Sequence, residues 1–255
     1  MFVFQDNLGY NLNIVKEEKT VQNNPEKGHL HPITLVTKQM TDIFQSLGFG
    51  VVLGPDVEKE HYNFDTLNIP QNHPARDMWD TFWLKNGDLL RTHTSPMQVR
   101  YMEKNQPPYK IIVPGRCYRY EATDSTHEVQ FNQMEGLMID KGVTMSDLKG
   151  TLEFFLRRLF NDDKIEIRFR PSYFPFVEPG LEVDMKWQGG WLEIAGAGMV
   201  HPQVLKNIKI ESTGQDEDWQ GFAFGIGIDR VAMLKYKIDD IRLFYGSDMR
   251  VLKQF

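Results

Sequence analysis

Gly221-Phe-Ala-Phe-Gly-Ile-Gly-Ile-Asp-Arg230 sets large and small residues in alternation over eight positions before turning acidic and basic. Side chains alternate across a strand, so Phe222, Phe224, Ile226 and Ile228 fill one face while Gly221, Ala223, Gly225 and Gly227 leave the other almost bare. Glycine weakens a strand, and so many on one face imply that something packs very close to it. A helix would serve, and so would a ligand. Arg230 favours the ligand: it falls in the first turn of the helix expected from Asp229, where a cation opposes the helix dipole unless an anion sits nearby.

Upstream, the expected strands Cys117–Glu121 and Gln130–Ile139 are joined by a loop, Ala122–Val129. One face carries Arg119 and Glu121 from the first strand with Phe131, Gln133 and Glu135 from the second. Alternating charge is ordinarily a solvated face. Here a large aromatic interrupts the polar row, and the loop adds Asp124, Thr126, His127 and Glu128. A guanidinium beside a flat ring suits a nucleotide, the first meeting phosphate oxygens and the second a base.

Around these two elements the pattern is mostly strand. Ile33, Val36, Met40, Ile43, Phe44 and Leu47 repeat at helical spacing after Pro32, and Gly48 ends the run. A short strand, Val51–Leu53, leads into Gly54-Pro55. Residues 56–80 read as an ordered loop. Asn86-Gly87 turns Phe82–Leu84 back into Leu89–Thr92, and Ser95-Pro96 opens a helix to about Lys104. After a strand at Ile111–Pro114 and the pair above, Thr144 and Asp147 cap a helix faced by Leu148, Leu152, Phe155, Leu156 and Leu159. Strands resume at Ile165–Arg170, 181–187 and Trp191–Ala197, the last two turned by Gly189-Gly190. Adjacent hairpins predict an α+β fold with an antiparallel sheet flanked by helices. Residues 1–27 read as an irregular arm before a single domain over 28–255.

Composition narrows the function classes. Of the 255 residues, 41% are hydrophobic and 25% charged, ordinary for a globular protein. The net charge of −6 supplies no basic stripe for nucleic acid, so any main contact with it is expected on another module or subunit. The single cysteine, Cys117, excludes an internal disulfide and suits a reducing compartment. No apolar run has membrane-spanning length and the first residues turn polar too early for a signal peptide, so a cytoplasmic location is expected.

The two elements resemble motifs 2 and 3 of class II aminoacyl-tRNA synthetases: Gly115-Arg-Cys-Tyr-Arg119-Tyr-Glu121 and Gly225-Ile-Gly-Ile-Asp229-Arg230. The helix after Pro32, with its strand and Pro55, looks like motif 1, the interface element of the class. Further stretches are similar to the alpha subunits of bacterial-type phenylalanyl-tRNA synthetases: Gly28-His-Leu-His-Pro32, His73-Pro-Ala-Arg76, Arg91-Thr-His-Thr-Ser95, Phe131-Asn-Gln-Met-Glu-Gly136, Arg168–Phe176 and Gly198-Met-Val-His-Pro202. The resemblance runs over residues 28–255.

It implies activation of L-phenylalanine by ATP and transfer to the 3′ end of tRNA(Phe), as one chain of a heterotetramer of two alpha and two beta subunits. Carried over by position, Arg119 and Arg230 would be the catalytic cations. ATP would meet Arg119, Glu121, His127, Phe131 and Arg230. Phenylalanine would lie among His93, Ser95, Gln98, Gln133, Glu135, Phe174, Phe176, Ala223 and Gly225, and Glu178 would bind Mg²⁺. Two departures stand out. Asn132 replaces a usual histidine, with alternation placing it opposite Gln133. Residues 1–27 are too few, and lack the heptads, for the family's N-terminal coiled-coil arm, as expected of a truncated or short form. A paralogue with a non-tRNA acceptor and a silent assembly subunit are the competing readings.

Overall fold

The computed structural model describes residues 28–210, 218–246 and 248–255, so the arm expected over 1–27 lies outside the described residues. Its centre is a seven-stranded sheet in the order β1-β4-β5-β9-β8-β7-β6. The strands are β1 (Gly50–Val51), β4 (Tyr109–Tyr118), β5 (Gln130–Lys141), β6 (Ile167–Phe174), β7 (Val177–Trp187), β8 (Gly190–Val200) and β9 (Trp219–Gly227). All neighbours run antiparallel except β1, which lies parallel to β4 with Gly50 opposite Ile111. The expected antiparallel sheet flanked by helices forms, and the single parallel pair at its edge makes it mixed. Only hairpin neighbours can be read locally, and β1 reaches β4 across some 60 residues of intervening chain.

Three helices, α1 (Pro32–Ser46), α4 (Met145–Phe160) and α6 (Ile228–Tyr236), cover one sheet face. Their apolar stripes meet Met134 and the large-residue side of β9 in one buried cluster, where Phe44 stacks on Phe155 and Phe224 at 4.4 and 5.1 Å. Gly136 is required here: a Cβ would lie 2.1 Å from the Phe224 ring. The expected capping box of α4 forms, Thr144 and Asp147 each bonding the other's backbone. The small-residue side of β9 thus faces away from the helix layer.

Two prolines explain the extra length of strands that the sequence breaks up. Pro114 lies in β4 beyond the two residues paired with β1, and Pro171 lies in β6, the sheet edge, so neither removes a ladder bond that a neighbour needs. The β7–β8 turn is centred on Gln188 and Gly189, both at positive φ, one residue before the expected pair.

On the other face lie α2 (Glu60–Asn63), α3 (Pro96–Met102), α5 (Pro202–Asn207) and a small two-stranded sheet of β2 (Val57–Glu58) and β3 (Leu89–Leu90). Two 3₁₀ turns, Asp65–Leu67 and Pro74–Trp79, punctuate the stretch expected to be loop. Arg76 holds that stretch together through Glu60, Asp65 and the Ile69 carbonyl, with its guanidinium 4.9 Å from the Phe64 ring centre. Helices α7 (Arg242–Tyr245) and α8 (Met249–Leu252) close the chain.

Candidate active site

A cavity of about 290 Å³ opens on the bare side of β9. Register decides its floor. Glu135 pairs with Gly225 and Leu137 with Ala223, and all four line the cavity. A Cβ on Gly225 would stand 3.1 Å from the Gln133 amide nitrogen and 3.4 Å from Glu135 Cγ, so glycine here keeps the polar end open. Close approach to this face was legible in the alternation, and the cavity, not a helix, occupies it.

The polar end is built on Glu135, which is buried on β5. Its carboxylate accepts from Ser95 Oγ, from Gln98 Nε2 at 2.9 Å and from the Thr94 N–H at 3.2 Å. Burial outweighs these donors and pushes the carboxyl up to about 7. A buried acid held this way is a partner for a cation. His93 is also buried, with the Trp79 ring edge-on at 4.7 Å. Burial, then the fields of Arg119 and Arg91, lowers its pKa to about 3, against a weak pull from the Asn63 backbone, so the ring is neutral. Neither ring nitrogen has a partner of good hydrogen-bond geometry, and both are buried in the wall of the cavity.

The apolar end is aromatic. Phe174 and Phe176 come off the β6–β7 hairpin with ring centres 6.1 Å apart, and Trp79 stands 6.5 Å from Phe176. Gly196 gives Phe174 its place, since a Cβ there would be 3.1 Å from the ring. Trp79, Glu193 and Val200 line the cavity too and were not among the residues read from sequence. Trp79 sits in a 3₁₀ turn whose course is set by distant contacts of Arg76, so no local pattern announces it.

Arg119 stands at the rim. Its guanidinium lies 4.9 Å from the Trp79 ring centre and 5.0 Å from that of Phe131, and its Nε donates to the Thr92 carbonyl at 3.2 Å. Glu121 is 3.7 Å from its Nη1. Two aromatic faces and one backbone bond fix the plane of the group while leaving its outer donors available. Arg230 lies in the first turn of α6 without an ion pair among the described residues. Nearby Glu193 has its carboxyl pushed up by burial and then by Glu182, against smaller opposing pulls from Arg170 and Arg230. His127 sits in the loop between β4 and β5, its Nδ1 3.0 Å from Asp124, whose carboxyl the Thr126 backbone, His127 and Thr126 hold below the usual range.

Arg119, His93, Ser95, Gln98, Gln133, Glu135, Phe174, Phe176, Ala223 and Gly225 therefore share one cavity, with Phe131 and Glu121 beside Arg119. Glu178 stands apart. Its side chain is 70% exposed and its one ionic neighbour among the described residues is His201 Nε2 at 3.2 Å. No group of three or more His, Cys, Asp or Glu among the described residues could hold a metal ion by itself. Asn132 does face away from Gln133, its amide donating to the Tyr245 hydroxyl at 2.9 Å.

The model of the tRNA synthetases class II core domain (F) matches residues 14–255. Phenylalanine–tRNA ligase alpha subunits from Dehalococcoides mccartyi and Laribacter hongkongensis are 55% and 54% identical to the chain, covering 89% of it in both cases and 70% and 68% of their own lengths. The chain belongs to the phenylalanine–tRNA ligase alpha subunit family. Among solved structures, the pyrrolysyl tRNA synthetase of Desulfitobacterium hafniense shares the fold, with a TM-score of 0.64 at 18% identity over 86% of this chain and 74% of that one. The fold is thus common to both chains. No helix among the described residues is long and apolar enough to cross a membrane.

Proposed function

We propose that the chain activates L-phenylalanine with ATP and passes the phenylalanyl group to the 3′ end of tRNA(Phe), working with a beta subunit in a heterotetramer of two alpha and two beta chains. One observation carries this: a single cavity joins a buried carboxylate ringed by donors to an aromatic slot floored by Ala223, with an aromatic-clamped arginine at its rim. An α-ammonium group suits Glu135, with Ser95, Gln98, Gln133 and the neutral His93 around the amino acid's polar head. A benzyl side chain suits Phe174 and Phe176.

The substrate carboxylate oxygen attacks the α-phosphorus of ATP, the bond to the bridging oxygen breaks, and pyrophosphate leaves. No enzyme nucleophile or base is needed, only alignment and neutralisation of developing charge. Arg119 holds the α-phosphate and substrate carboxylate. Arg230 holds the far side of the nucleotide, Phe131 and Glu121 take the adenine, and His127 faces the outer phosphates. Mg²⁺, when bound, spreads the negative charge of the triphosphate. Glu178 would hold it by one exposed carboxylate, which fits an ion shared with another chain rather than a resident one. Val51, on the strand packed against α1, and Leu53 just after it are exposed and offer that chain an apolar surface.

Substrate choice tests the reading. Ala223→Gly removes one methyl from the pocket floor, a change that in an apolar pocket alters discrimination by about 1–3 kcal/mol. Pyrophosphate exchange should extend to para-chloro-phenylalanine while phenylalanine is retained. Tyrosine should gain less, its hydroxyl being desolvated without a partner. Unchanged specificity ratios would remove Ala223 from the pocket floor.

A further inference from the structure

Four separate elements meet on α7, which belongs to none of the three motifs. The Ile241 N–H leading into it donates to the Ser125 carbonyl at 2.9 Å, in the loop between β4 and β5. The Phe244 carbonyl accepts from His31 Nε2 at 2.8 Å; His31 caps α1 by accepting from the Ile33 N–H at Nδ1, so the proton is on Nε2. Tyr245 then bonds two ways. Its hydroxyl donates to Asp229 Oδ1 and accepts from Asn132 Nδ2, while Asp229 Oδ2 accepts the Asn132 N–H at 2.5 Å.

The positions of these partners give the cluster its meaning. Asp229 immediately precedes Arg230 on α6, and Asn132 lies between Phe131 and Gln133 on β5. Among the described residues, the Tyr245 hydroxyl is the one side-chain group from outside β5 and α6 that bonds to both the strand carrying Phe131 and the helix carrying Arg230, adding to the direct bond between Asp229 and the Asn132 N–H. Asp229 is 2% exposed, so an oxygen that loses its donor finds no water without movement.

We propose that Tyr245 is a positioning residue for the nucleotide half of the site, fixing Phe131 and Arg230 relative to one another through Asn132 and Asp229. The inference rests on the function proposed above. It weighs on the nucleotide half, because His93, Ser95 and Gln98 come from the β3–α3 segment, Phe174 and Phe176 from the β6–β7 hairpin, and Ala223 from β9, and Tyr245 bonds to none of these. Gln133 and Glu135 share β5 with Asn132, but Glu135 is held independently by Ser95, Thr94 and Gln98. It also gives Asn132 a role that alternation alone could not: a donor aimed at Tyr245.

The test is equilibrium binding of ATP and of phenylalanine, titrated separately on the full chain assembled with its beta subunit. Wild type binding neither ligand overturns the proposed function and this inference with it. Given wild-type binding, Tyr245→Phe should weaken ATP about tenfold, as expected for one or two lost buried hydrogen bonds, and leave phenylalanine within about twofold. Asn132→Ala, which removes one arm and keeps the Asp229–Tyr245 bond, should move ATP in the same direction by less. A general loss of packing would weaken both ligands together, so parallel losses, or no loss for ATP, overturn the inference while the proposed function stands. If Tyr245→Phe does not fold, the ATP-to-phenylalanine split of Asn132→Ala decides.

Discussion

Arg119→Ala should abolish phenylalanine-dependent pyrophosphate exchange in a protein that still folds. The guanidinium is held between Trp79 and Phe131 with its Nε bonded to Thr92 and its outer donors directed to the rim of the cavity. Nothing must reorganise when charge develops on the phosphate, which is the condition under which a fixed donor contributes most. Losing one such contact costs roughly 3–4 kcal/mol, a hundredfold or more in rate. The fold should survive, because the side chain is partly exposed and its ion-pair partner, Glu121, is 3.7 Å away at the surface. Exchange measured beside a thermal melt checks both halves of this expectation. Near wild-type exchange by a folded variant would take the phosphate role away from Arg119.

Glu135 should make phenylalanine binding depend on pH in a window that few other groups occupy. Burial raises its carboxyl from 4.5 to about 7 despite the donors from Ser95, Thr94 and Gln98. Below that value the acid is protonated and offers an ammonium group only a neutral partner. Affinity for phenylalanine should therefore climb as pH rises through about 7 and level off above it. Glu135→Gln should flatten the profile and weaken binding by about 1.5–3 kcal/mol, the range for a hydrogen bond to a charged group. Stability runs the other way. The folded chain holds this proton between pH 4.5 and about 7 while the unfolded chain releases it, so the ligand-free fold loses stability as pH rises through that window. At 1.36 kcal/mol per unit, the difference between Glu135→Gln and wild type should move by up to roughly 3 kcal/mol in the variant's favour. A pH-independent affinity in wild type would show that Glu135 is ionised throughout or does not meet the ammonium group.

The bare face of β9, the Arg119–Phe131 pair and the α4 capping box were legible because each depends on residues close in sequence. Period-two alternation decides which side chains share a face, and it placed Asn132 away from Gln133 correctly. What escaped has non-local causes. The parallel pairing of β1 with β4 cannot be inferred from either strand. Trp79 reaches the cavity through a turn anchored by Arg76 to Glu60 and Asp65. Helix α7 has four residues, too few to show a period, and its importance lies in partners from 16 to 213 positions away. Glu178, singled out by resemblance, belongs to no cluster of three or more potential metal ligands among the described residues.

The most direct test of the central claim is pyrophosphate exchange with each amino acid in turn, followed by charging of tRNA with and without a beta subunit. Phenylalanine alone should support rapid exchange, and phenylalanyl-tRNA(Phe) should form only when the beta subunit is present. Exchange without charging would mean an activated amino acid destined for another acceptor. Exchange with a different amino acid, or with none in the assembled complex, would contradict the assignment of the cavity to phenylalanine.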